Sequence, residues 1–130
     1  MLGEWLSYLS EKTHVIALIR DLLGCKCPKE VFDHYLVSLI SCPPLRFAKL
    51  VISDRLLVYL VPGEQRTLST PQVQNLIAEG RQERDSRGLN RFRLVLIGAQ
   101  VERQAELERI AESMDDPKVH LHLIRNISDS

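Results

Sequence analysis

The sequence has no glycine-rich phosphate loop, no nucleophile elbow beside a triad, and no pair of carboxylates spaced for hydrolysis. The first absence removes the usual nucleotide fingerprint, and the others remove common hydrolase signatures. No uncharged apolar run approaches the roughly 20 residues that a membrane-spanning helix needs. The opening Met-Leu-Gly-Glu-Trp lacks the basic start and apolar core of a secretory signal. Net charge is missing too, since 17 basic residues cancel 17 acidic ones. A neutral total gives no whole-molecule steering toward nucleic acid or an anionic membrane, and neither is expected as a partner. Cysteine is sparse and odd in number, three in 130 residues. A domain of this size holds its core without disulfides, so a reducing, cytoplasmic setting is the expectation.

What is present is the composition of an ordinary globular domain, 45% apolar and 26% charged. One domain over residues 1–130 is expected, with a polar tail at 126–130. The stretch Arg55-Leu56-Leu57-Val58-Tyr59-Leu60-Val61 is apolar on both faces once Arg55 is passed, and residues 92–97 repeat the pattern after Arg93. Strands with one wet face alternate, whereas strands covered on both sides do not, so both read as central strands under helices.

Around them the elements fall in order. Residues 1–12 begin with Trp5, Leu6 and Leu9 at helical spacing, and Thr13 is placed to cap a helix reaching Leu23. Gly24 stands where a left-handed terminating residue belongs. Residues 28–33 suggest one helical turn with Cys27 at its N-cap. Residues 35–40 read as a short strand broken by Cys42-Pro43-Pro44, and residues 47–52 read as the next. Ser53-Asp54 forms a tight turn into the central strand. Thr70 as cap and Pro71 at the first position open a helix whose far end, 80–87, is polar all round. A helix over about 101–114 and a strand over 119–124 complete the chain. The second half thus reads strand, helix, strand, helix, strand, the pattern of parallel pairing. The expected fold is a single three-layer α/β domain. Its mixed sheet has about five strands, antiparallel in the first half and parallel in the second, with helices on both faces.

The chemical lead is Cys25-Lys26-Cys27-Pro28. Residues two apart in non-helical chain lie within or just beyond disulfide span. A thiol at a helix N-cap beside Lys26 favours the nucleophilic thiolate. In that reading Cys27 is the reactive thiolate, Cys25 resolves it and Lys26 supports ionisation. The competing reading makes them small apolar residues at a helix end, since the usual redox motif has two intervening residues. A metal version would add Cys42 and His34, a Cys3His set suited to zinc, although the spacing matches no standard pattern. His120 and His122 share one strand face and can chelate, or they simply line a half-wet edge. Gly98 and the helix start after it suit an anion. Arg81, Arg84, Arg87, Arg91 and Arg93 form the densest charge cluster, but Glu83 and Asp85 interrupt it and only Phe92 is aromatic nearby. Ion pairing on a helix end fits that mixture better than strand-stacking on nucleic acid.

Two functions follow: a thiol-dependent redox or metal-binding module, or a non-enzymatic interaction domain. The second would dock a protein partner or another copy through an exposed strand edge or the arginine-rich segment 81–93.

Overall fold

The computed structural model describes residues 2–24, 28–42, 45–62, 69–98, 104–113, 115–125 and 127. Helix α1 (Leu2–Leu9) is followed by α2 (Lys12–Ile16), which widens into a π turn over Ala17–Leu22. A short 3-10 helix (Lys29–Asp33) leads into strands β1 (Tyr35–Cys42), β2 (Leu45–Ile52) and β3 (Leu56–Pro62). Helix α3 (Thr70–Arg87), β4 (Arg91–Ile97), α4 (Gln104–Ser113) and β5 (Val119–Ile124) complete the order.

The five strands form one sheet in chain order, β1-β2-β3-β4-β5. The first three are antiparallel neighbours, and β3-β4-β5 are parallel. The expected mixed α/β sheet is therefore present. Short connections explain the sequential order in the meander. Two crossovers that advance in the same direction place both crossover helices on one face. Accordingly α3 and α4 share a core with Leu57, Tyr59, Val61, Phe92, Leu94 and Leu96. The other face needs a separate cover, and the N-terminal segment supplies it through Trp5, Leu9, Val15, Leu18 and Ile19 against Leu50, Val58, Leu60 and Val95. Leu57, Val58, Leu94 and Val95 are each 0% exposed, as doubly covered strands require.

Local details depart from expectation where backbone geometry decides. Glu11, not Thr13, precedes α2 in extended conformation. Ser69, not Thr70, is the N-cap of α3, and its N–H donates to Gln72 Oε1 at 2.9 Å. Strand β1 runs on through Cys42, because the prolines follow it rather than interrupt it. The β2–β3 turn takes three residues and holds Ser53 at φ 52°, a position where glycine would be unstrained. The polar end of α3 stays helical to Arg87 and stops at left-handed Gly88. Within it Gly80 is buried because Phe92 lies against it: a Cβ there would sit 2.1 Å from Phe92 Cζ.

Candidate functional site

Strand β1 lies at one edge of the sheet, with β2 as its neighbour on one side. Its register pairs Tyr35 with Ile52, Ser38 with Lys49 and Cys42 with Leu45. The Ser53 N–H donates to the His34 carbonyl at 2.7 Å, in that same register. Antiparallel strands alternate between hydrogen-bonded and non-hydrogen-bonded pairs. The even-numbered residues 36, 38, 40 and 42 therefore turn their backbone groups to β2. Tyr35, Val37, Leu39 and Ser41 turn theirs outward, away from the sheet.

Side chains alternate across the same strand. Tyr35 and Val37 pack toward the N-terminal helices, and the Tyr35 hydroxyl donates to the Leu9 carbonyl at 3.0 Å. Leu39 shares that face near its end and is 42% exposed; Leu36, on the opposite face, is 69% exposed. A depression of about 440 Å³ opens beside Leu36, lined also by Asp33, His34, Val51 and Ser53. No side chain from Tyr35 to Cys42 carries a charge. Natural edges are ordinarily blunted by lysine, proline, a bulge or a short strand. Eight residues of β1 carry none of these devices.

A polar cluster borders this edge on the α3 side. Glu83 accepts from Lys49 Nζ at 2.8 Å, from Arg87 Nε at 2.8 Å and from the Tyr59 hydroxyl. Burial works against the Glu83 charge, but the hydrogen bonds from Lys49, Tyr59 and Arg87 outweigh it and hold the carboxyl below its ordinary range. Burial, and then the bond to Glu83, push the Tyr59 hydroxyl far up. With Glu83 ionised and Tyr59 protonated at neutral pH, neither is poised for proton transfer. The cluster ties β2 and β3 to α3.

Two arginines of the arginine-rich segment, Arg84 and Arg93, are buried, while Arg87 and Arg91 stay exposed. Arg84 is 7% exposed and bonds Asp116 at 2.8 Å and Asp85 at 3.0 Å. Arg81 lies 3.4 Å from Asp116. Arg93 is 5% exposed; its Nη1 donates to the Leu23 carbonyl at 3.1 Å and to His122 Nε2 at 2.8 Å. An arginine never accepts, so His122 carries its proton on Nδ1. Burial first, then Arg93 and His120, push the His122 imidazole down to about 4. His120 is shifted down as well, by burial and by Arg93 and Arg91. The ring centroids of His120 and His122 lie 6.4 Å apart on their shared face.

Cys25, Lys26 and Cys27 lie outside the described residues. Gly24 before them does adopt the left-handed conformation, at φ 72°. The N-cap of the following 3-10 helix is Pro28, not Cys27, and that helix has only five residues. So short a helix supplies little dipole at its N-terminus. His34 directly precedes β1 and Cys42 ends it. Eight residues of extended chain hold them about 26 Å apart, so the two cannot bind one ion together. Among the described residues no group of three or more His, Cys, Asp or Glu is arranged to hold a metal. Gly98, offered for an anion, donates its N–H to the Ile124 carbonyl at 2.8 Å, and residues 99–103 lie outside the described part.

The exposure of Leu36 and Leu39 was not visible in the sequence, because an apolar run reads as a covered strand. One signal was available: the first strand of a meander has a single guaranteed neighbour. The chain matches no protein-family model, and no curated protein matches it.

Proposed function

We propose that this protein is a non-enzymatic interaction domain that binds an extended segment along β1. One observation carries the reading: an uncharged eight-residue edge strand with Leu36 69% and Leu39 42% exposed. Strand addition satisfies the outward backbone groups, and the two leucines offer apolar contacts on either face. The test titrates a synthetic strand-forming peptide of alternating valine and threonine into the protein, followed by fluorescence anisotropy. Leu39→Pro removes one outward N–H while leaving the bonds to β2 intact, and proline is tolerated where the N–H faces solvent. Saturable binding that weakens at least tenfold in Leu39→Pro supports the reading. No binding to the wild-type protein at a dilution where it is monomeric overturns it.

A thiol function for Cys25 and Cys27, assisted by Lys26, in a reducing cytoplasmic setting is a second reading. It is supported by their spacing and by the helix stop at Gly24. Zinc would be its metal form, with Cys25 and Cys27 as ligands. Alkylation rates measured against pH test the thiol form, and native mass spectrometry with and without a chelator tests the metal form. Midpoints at the free-thiol value, about 8.5, together with no metal mass, defeat it.

A further inference from the structure

Resting on the docking reading, we infer that the strand received by β1 is β1 of a second copy. The two strands would pair antiparallel about a two-fold axis at Ser38, making one continuous sheet through both molecules.

The backbone sets the register. Only residues whose N–H and C=O point outward can form the hydrogen-bonded pairs of a new ladder, and these are Tyr35, Val37, Leu39 and Ser41. A two-fold axis at Ser38 places Tyr35 opposite Ser41 of the other copy and Val37 opposite its Leu39. All four outward residues then find a partner in both chains. An axis at Val37 strands Ser41, and an axis at Leu39 strands Tyr35. The side chains agree with the same register. On the α3 face the exposed Leu36 meets Ile40 of the second copy, and on the other face the exposed Leu39 meets its Val37. Such cross-strand apolar pairs are the unit of sheet stabilisation.

Charge argues for a second copy as the occupant. A two-fold axis at Ser38 sets residue 38 opposite its own equivalent and pairs the other β1 residues with one another, so a charge on the axis would face its like and a charge elsewhere on β1 would be buried against an uncharged partner. Tyr35–Cys42 has none. The nearest cation across the face, Lys49, is neutralised by Glu83 at 2.8 Å. Closure adds a further reason. Pairing β1 with β5 of a neighbour would be heterologous and open-ended, whereas β1 with β1 closes at two copies. Strand β5 is also the poorer acceptor, because its side chains are all at least partly covered.

The test uses the full chain at about 100 µM, above the micromolar dissociation constants of modest interfaces. Sedimentation equilibrium should give twice the 14.9 kDa monomer mass, and Leu39→Pro should return it to the monomer mass with a melting temperature equal to that of the wild type in dilute, unassociated solution. A second variant, Ser38→Cys, serves if Leu39→Pro fails to fold. In the inferred register residue 38 faces its own copy in a non-hydrogen-bonded pair, about 4.5 Å between Cα atoms, within disulfide span. On mild oxidation the two introduced thiols should join to each other, as read by peptide mapping. A monomeric wild type, or a dimer in which those thiols do not join, overturns the inference. A monomer that still binds the valine–threonine peptide defeats the second copy alone; a monomer that binds neither defeats the docking reading as well.

Discussion

Lowering the pH should destabilise this protein through His122 before its carboxylates matter. In the unfolded chain the imidazole takes a proton at its ordinary 6.5, while in the folded protein burial and Arg93 hold it off until about 4. The folded value is depressed for a base, so between 6.5 and 4 the unfolded state binds more protons and stability falls as pH falls. Above 6.5 the term vanishes. A gap of about 2.5 pH units at 1.36 kcal/mol each sets a ceiling of about 3 kcal/mol, of which about 2 kcal/mol is lost by pH 5. His120 adds a smaller loss of the same sign. Glu83 and Asp116, whose pKa values are lowered, remain ionised at pH 5 and hold their contributions until lower pH. Urea unfolding at pH 7.5 and 5 measures the loss. His122→Gln keeps an acceptor for Arg93 but does not titrate, so the variant should lose about 2 kcal/mol less than wild type over that interval. Equal losses in the two proteins would refute the buried, neutral His122.

Three further substitutions probe the packing that holds the edge in place. Gly80→Ala gains about 1 kcal/mol of helix propensity but drives a methyl into Phe92, and overpacking of about 1–3 kcal/mol should outweigh it, giving a lower melting temperature. Asp116→Asn keeps an acceptor for the buried Arg84 but removes the charge beside it, leaving the exposed Asp85 as its paired carboxylate, and a loss of about 1–3 kcal/mol is expected in denaturant unfolding. Ser53→Gly relieves a left-handed residue at φ 52° and should raise stability by about 0.5–1 kcal/mol; an unchanged or lowered midpoint would count against strain in that turn.

The architecture was legible because its strongest signals are local. Leu57 to Val61 and Leu94 to Ile97 lack polar alternation, and that alone identifies strands covered on both faces. The helix stop at Gly24 was readable for the same reason, since left-handed backbone favours one residue type. What stayed hidden depends on partners remote in sequence. Arg93 looks like a surface cation until Leu23 and His122 arrive from elsewhere in the chain. Arg84 is buried because Asp116 crosses to it, and Gly80 is a contact point only once Phe92 is placed over it. The edge was the least visible feature. Leu36 and Leu39 sit in the same kind of apolar run as the central strands, and only strand order, a property of the whole sheet, leaves them open.

Residue-resolved hydrogen exchange along β1, compared between dilute and concentrated protein, tests the docking claim most directly. In dilute solution the amides of Leu36, Ser38 and Ile40 should be protected by β2, while those of Val37, Leu39 and Ser41 exchange quickly. Concentration, or an added strand-forming peptide, should slow the second set and leave the first unchanged. Outward amides that exchange at the same rate under all three conditions would contradict it.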